Sequence, residues 1–257
     1  MTHATPAPTP LSVRALLAAP LVALSAFLAL VAWPQAAQAR TVGSGTVATE
    51  VRSVGEFQAV AQQGSIDLTV RQGAAASVQV SADDNVLPLV ETVVEEGRSG
   101  PTLVVRFKRG ERITTRNPVR VQVVTPKLVS LASAGSGDVV VEAFSTPSLR
   151  LAIAGSSDAK LNGLTTDELS ISISGSGDVA GSGQAGKLTV SIAGSGDVRL
   201  GDLRADDVKV TIAGSGDATV YAEKALKVSI AGSGDVVYSG NATPETKVAG
   251  SGSVRKR

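Results

Sequence analysis

The feature that most limits what this chain can fold into is a four-residue motif that recurs along its C-terminal half at a nearly constant interval. Gly-Ser-Gly-Asp, or a close variant, ends at Asp138, Asp158, Asp178, Asp197, Asp217 and Asp235, and a terminal copy reads Gly250-Ser-Gly-Ser253. Successive aspartates lie 20, 20, 19, 20 and 18 residues apart. Before each motif the positions two, four and six residues back from its first Gly are apolar, as in Leu149, Leu151 and Ile153, in Leu169, Ile171 and Ile173, or in Leu226, Val228 and Ile230. The residues between them are mostly Ser, Thr, Lys, Arg or Ala. A period of two with one apolar face specifies a β-strand with one side buried.

A unit of about 20 residues is too small to bury its own apolar face, and stacking copies of it solves the problem. Each strand then pairs in register with the same strand one coil along, about 4.8 Å away, and the inward Ile, Val and Leu form a continuous ladder. The predicted fold class is therefore all-β, a parallel β-solenoid (β-helix) of about 20-residue coils with Gly-Ser-Gly-Asp corners. The competing architecture is an antiparallel sandwich or a propeller. Propeller blades are about twice as long, and the Asn-Gly and Asp-Gly pairs of two-residue hairpins are missing. At the corner, Gly supplies a positive φ without steric cost, and Ser and Asp can cap backbone N–H groups freed by the turn. Ser157 replaces Gly in one copy, so that corner is expected to be distorted or less strained.

Stacking would set Asp138, Asp158, Asp178, Asp197, Asp217 and Asp235 in a column. Two like charges at about 5 Å repel by roughly 1 kcal/mol in water and about 3 kcal/mol at an effective dielectric of 20. Three roles offset or exploit this. Each carboxylate can accept backbone N–H bonds from its own turn, which makes it scaffold. The column can bind cations, since the motif resembles the Gly-rich calcium repeats of β-roll toxins, although calcium needs six to eight oxygens and the period differs. Finally, paired carboxylates at that spacing suit a retaining glycosidase, but a ladder of identical turns gives no separation of pKa values between acid and nucleophile.

Composition narrows the chemistry further. Arg14 followed by the uncharged Leu16–Trp33 run and by Ala37-Gln38-Ala39 reads as a signal peptide over residues 1–39, cleaved before Arg40. An uncleaved anchor is the alternative, the run being about long enough to span a bilayer. Cleavage removes His3, Met1 and Trp33, and Cys is absent from the whole chain. The mature protein then has no imidazole or thiol for a nucleophilic triad, a metal site or a disulfide. It retains 23 Lys and Arg against 23 Asp and Glu, and that balance argues against nucleic-acid binding. The expected location is periplasmic or secreted, without a second membrane-spanning run.

Residues 40–127 are less regular and read as irregular β coils or a cap, ahead of the regular repeats and short basic tail of 128–257. Gly43-Ser-Gly-Thr46 is a faint corner-like echo, and Ile66, Leu68 and Val70 alternate. Ser77–Val80 and Leu103–Phe107 are further strands. Asp84–Glu96 could open as one helical turn capped by Asp84, limited by Pro88, or place Val93-Val94 in a strand. Residues 97–101 and 108–117 read as turns. Arg255-Lys256-Arg257 reads as a solvated tail whose charge discourages end-to-end stacking.

Val54-Gly-Glu-Phe-Gln-Ala-Val60, Gly64-Ser-Ile-Asp-Leu-Thr-Val-Arg-Gln-Gly73, Ser77-Val-Gln-Val-Ser-Ala-Asp83 and the coils that follow carry a resemblance. Over about Val54 to Ser239 the chain resembles the family described as putative auto-transporter adhesin, head GIN domain. That resemblance implies a β-helical protein exported by bacteria, with surface adhesion suggested by the name and no catalytic residues defined. No barrel with aromatic girdles follows the last coil in this sequence, so export by other machinery is expected. Together these readings predict a non-enzymatic, exported, adhesin-like binding or scaffold protein of the cell envelope, without cofactor unless calcium. Its outward ladders (Thr189, Ser191, Lys209, Thr211, Lys227 and Ser229) would face a glycan or a surface protein. A carbohydrate-active enzyme on the same fold and a self-associating envelope protein are the alternatives.

Overall fold

Every glycine corner lies against the corner one coil along. In the computed structural model, which describes residues 40–257, Gly135 is paired with Gly155, Gly155 with Gly175, Gly175 with Gly194, Gly194 with Gly214, Gly214 with Gly232 and Gly232 with Gly250. All of these ladders are parallel, as the repeat predicts. Within the coil Ala159–Gly175 the buried positions are Ala159 and Leu161, then Leu164 and Thr166, then Leu169, Ile171 and Ile173. Alternation slips at Asn162-Gly163 and again at Asp167-Glu168. A strand that keeps its inward face through a change of parity has turned, so these two bends and the glycine corner divide the coil into three sides.

The interior is a set of aliphatic columns. Ile153, Ile173, Ile192, Ile212 and Ile230 succeed one another at one register position and are at most 2% exposed. Each such side chain contributes about 1.5–3 kcal/mol on burial. Every coil therefore repeats the same small set of hydrophobic contacts with its two neighbours.

The stack does not begin at residue 128. Ala59–Gly64 and Ile66–Gln72 form a coil of their own, with Gly64-Ser-Ile-Asp67 as its corner, and they pair in parallel with Ser130–Gly135 and Val139–Glu142. The other side of this coil pairs in parallel with Gly100–Phe107 and Val119–Thr125. The chain thus leaves its first coil, builds a layer on one side of it, and returns to the opposite side to begin the regular repeats. Antiparallel strands finish that outer layer: Ser77–Asp83 lies between Val119–Thr125 and Val47–Arg52, and Val90–Gly97 pairs with Gly100–Phe107.

Several local readings change in this region. The helical turn shrinks to a 3-10 turn at Leu87–Leu89, whose N-cap is Val86 and not Asp84. Pro88 has no N–H to give the Asp84 carbonyl, which a helix opening at Asp84 would need, and Val93-Val94 lie in the strand Val90–Gly97 that ends the turn. Asp84 instead accepts a hydrogen bond from the Ser44 hydroxyl. Arg98-Ser99 alone makes the turn read at residues 97–101. The 108–117 segment contains the short strand Arg112–Thr114, paired with Arg40–Val42. Gly43–Thr46 is not a coil corner; it wraps the Asp83 carboxylate. The signal peptide and its cleavage site lie outside the described residues, apart from Arg40 itself.

Candidate functional site

The six aspartates form the expected column, and the carboxylates of Asp158, Asp178, Asp197, Asp217 and Asp235 each reach across to the neighbouring coil, not back to their own turn. Asp158 Oδ1 accepts the backbone N–H of Asp178 at 2.9 Å, Asp178 Oδ1 that of Asp197 at 2.9 Å, Asp197 Oδ1 that of Asp217 at 3.0 Å and Asp217 Oδ1 that of Asp235 at 2.7 Å. Asp235 Oδ1 ends the series by accepting both the N–H and the hydroxyl of Ser253, at 2.8 and 2.9 Å. These two bonds hold the Asp235 carboxyl below its usual pKa range, the Ser253 hydroxyl being the larger cause. The column also has a member that the repeat conceals: Asp67 Oδ1 accepts the N–H of Asp138 at 3.3 Å. Reading the motif as Gly-Ser-x-Asp would have found it.

Two carboxylates of the column share an arginine. Arg199 Nη1 lies 3.0 Å from Asp178 Oδ2 and its Nη2 lies 3.0 Å from Asp197 Oδ2, so one guanidinium spans one coil step and neutralises part of the like-charge repulsion. Those two pairs in turn hold the Arg199 guanidinium firmly protonated, Asp178 being the larger cause. At Asp178 and Asp197, Oδ1 is thus committed to the backbone and Oδ2 to Arg199. Among the described residues no three acidic, His or Cys side chains converge as a metal site would require.

The corner glycines are fixed by close approach as much as by φ. A Cβ on the second Gly of each motif, from Gly137 to Gly252, would stand 2.1 to 2.2 Å from the carbonyl oxygen of the equivalent residue one coil back. Ser157 occupies this position in its coil, is fully buried, and is matched by a second departure from the repeat. In the five later coils, from Gly177 to Gly252, an Ile Cγ2 faces that point, as Ile153 does 3.0 Å from the Cβ built on Gly177. Facing Ser157, the register position of Ile153 is held by Ser133, whose hydroxyl donates to Gln62 Oε1 and accepts from the Ser157 hydroxyl at 2.8 Å. The corner is distorted as expected: φ at Gly155 is 108°, against 132° to 149° in the other Gly-Ser-Gly corners. The step from Asp138 to Asp158 also lacks the carboxylate rung among the described residues.

Unlike the part-exposed or exposed carboxylates of the column, the Asp83 carboxylate, which belongs to the cap, is buried from solvent. It accepts the Asn117 side-chain amide at 2.6 Å and the N–H groups of Arg116, Gly45 and Asn117 at 2.8, 3.2 and 3.3 Å. The bond from Asn117 is the leading reason that its pKa is lowered. The outward ladders stand where the repeat placed them. Thr189, Lys209 and Lys227 are in register, as are Ser191, Thr211 and Ser229.

Solved structures share this architecture. A crystal structure from Bacteroides fragilis described as a putative adhesin superposes with a TM-score of 0.78 at 22% identity, covering 84% of this chain and all of that one. One from Parabacteroides distasonis described as a putative lipid binding protein gives 0.70 at 24% identity, covering 85% of this chain and all of that one. A putative adhesin from Parabacteroides merdae gives 0.64 at 23%, covering 85% of this chain and 99% of that one. At these identities the likeness is one of fold. A comparison with curated proteins finds no match. The family model described as putative auto-transporter adhesin, head GIN domain, matches residues 56–242, and with most of its coils inside that span the chain belongs to this family.

Proposed function

We propose that the protein is an exported, non-catalytic β-solenoid whose side faces bind a partner in the bacterial cell envelope. One observation carries the reading: the repeated carboxylates, the most conspicuous reactive groups of the chain, are spent on backbone N–H groups between coils. A general acid and a nucleophile must differ in environment so that one holds a proton while the other is ionised. Here each rung repeats the same bond. A scaffold of identical coils instead offers long, rigid faces with side chains at fixed spacing, which suits recognition of a repeating surface. Family membership supports this, and among the described residues no helix is long and apolar enough to cross a membrane.

The test is to incubate the purified mature protein with envelope polysaccharides, measuring binding by calorimetry and reducing-end release in the same samples. Binding without release is expected. Release that one Asp→Asn change in the column abolishes would replace this reading with a carbohydrate-active enzyme.

A further inference from the structure

One side of the regular stack carries a groove of about 440 Å³ that runs along the solenoid axis across four coils. Its floor is made of small residues, with Ala185 and Ala205 both buried. One wall is the register column Thr165, Gln184, Arg204 and Tyr221. Facing it are Asp167, Asp206 and Glu223. The column of six corner aspartates is not part of it.

The repeat is broken at this place. Leu200 pairs with Val220, but the next residue of the later coil, Tyr221, pairs with Arg204, so that Gly201, Asp202 and Leu203 have no counterpart. A coil that kept the register would set Tyr221 opposite Gly201. The shortening instead brings the Tyr221 ring under the Arg204 guanidinium, 5.3 Å from its centroid. Among the described residues beyond 127, Phe144 and Tyr238 are buried, which leaves Tyr221 as the aromatic of the regular coils that faces out. The following coil presents only Ser239 at its register position.

The polar groups here are held in place. The Tyr221 hydroxyl donates to Glu223 Oε2 at 2.7 Å, the Asn241 amide donates to Glu223 Oε1 at 2.7 Å, and Lys224 Nζ lies 2.9 Å from Asp206 Oδ2. Each cross-link joins neighbouring coils or closes on its own strand, so the walls are set before any ligand arrives, and preorganisation lowers the cost of binding.

The geometry points to this groove as a binding site for a linear, uncharged glycan. The inference rests on the binding reading above and names its ligand class. Coils repeat about every 4.8 Å, close to the advance of one sugar ring along an extended chain, so successive rings would meet successive coils. Hydroxyl, amide, guanidinium and carboxylate groups match the paired donors and acceptors of sugar hydroxyls. The part-exposed tyrosine ring, beside the Arg204 guanidinium that lies over it, supplies the apolar surface on which the C–H face of a sugar packs. Three carboxylates against Arg204 and Lys224 leave the groove slightly acidic, which disfavours uronic-acid polymers. Its small, polar-walled floor offers little apolar surface for the desolvated centre of a protein interface.

The experiment titrates the mature protein with cello-, chito- and manno-oligosaccharides of increasing length and with polygalacturonate, alongside Tyr221→Ala, Tyr221→Phe, Glu223→Gln and, on another face, Lys247→Ser. Circular dichroism confirms that each variant is folded. Affinity for at least one neutral series should rise with length until four rings span the groove. Tyr221→Ala and Glu223→Gln should weaken it about tenfold or more, Tyr221→Phe less than Tyr221→Ala, and Lys247→Ser not at all. Neutral binding untouched by Tyr221→Ala would overturn the groove but leave a binding scaffold standing. Equal or tighter binding of polygalacturonate would overturn the uncharged class. If no oligosaccharide binds, the inference fails, and failure against intact envelope material as well would take the broader reading with it.

Discussion

At the scale of single residues the repeat is enforced by space. Gly214 has a φ of 139°, and a Cβ there would stand 2.1 Å from the carbonyl oxygen of Gly194. Gly214→Ala is therefore expected to cost about 3 kcal/mol or more. Gly55→Ala, where nothing lies within 4 Å, should change stability by no more than about 0.5 kcal/mol. Chemical denaturation of the two variants decides this, and equal effects would show that corner packing is not what holds the motif. Ser133 and Ser157 make a sharper case, because two departures from the repeat compensate each other inside one chain. Ser157→Gly removes one of the two hydrogen bonds of the buried Ser133 hydroxyl and leaves space beside it, at about 1–3 kcal/mol. Ser133→Ile pushes an extra side chain against Ser157, at a similar cost of about 1–3 kcal/mol. The double variant restores the Ile and Gly of the other coils, so its cost should fall short of the sum by about 1 kcal/mol or more. Simple additivity would mean that the two serines do not act as a pair.

At the scale of elements, the column and the cap each answer to pH or to ions. Asp83 and Asp235 both have pKa values lowered in the folded protein, by Asn117 and by Ser253 respectively. A lowered folded pKa gives stability that is complete above the unfolded value, about 4 for Asp, and is lost as pH falls through the folded one. The thermal midpoint should hold from neutral pH to about 4 and then drop. Asp83→Asn should lower the midpoint at neutral pH and flatten part of the acid drop; an unchanged acid profile would remove Asp83 from the account. Millimolar calcium should leave the midpoint where it is, since a ligand that bound the column in the native state would raise it. The regular coils were legible in the sequence because period-two burial and a fixed interval both report the same stacking. The cap was not. Its parallel strands join coil 59–72 on the side opposite the regular repeats through contacts more than 30 residues apart in the chain, as with Ala59 and Thr102, and no local pattern encodes such a return. Gly43–Thr46 misled because Gly-Ser-Gly also suits a loop folded around a buried carboxylate. The position of Tyr221 is hidden for a related reason: it depends on a three-residue shortfall, of which one residue is regained between Ala222 and Ala225, so that the sequence shows only an interval of 18 instead of 20.

At the scale of the whole molecule, the two ends of the stack are finished differently. One is covered by the antiparallel strands of the cap, which interrupt the parallel ladder. At the other, the coil of Thr243–Gly250 and Val254–Lys256 pairs on one side only among the described residues. Its inward register positions are where the aliphatic columns would continue, and several are unsuited to it. Pro244 follows Leu226 and Thr246 follows Val228, while Lys256 follows the buried Tyr238. A proline brings no N–H to a ladder, and an inward-pointing charge opposes the docking of another apolar edge. We propose that, at the tail, charge opposes end-to-end assembly through Lys256, the residue that follows Tyr238 in register. Val248, 45% exposed, ends the isoleucine column and is apolar surface at this end of the stack. Lys256→Val should remove that protection, giving association that grows with protein concentration in sedimentation velocity, whereas Lys256→Glu, which keeps a charge there, should sediment as the parent does. If the valine variant also matches the parent at every concentration, the inward charge is not what keeps the ends apart.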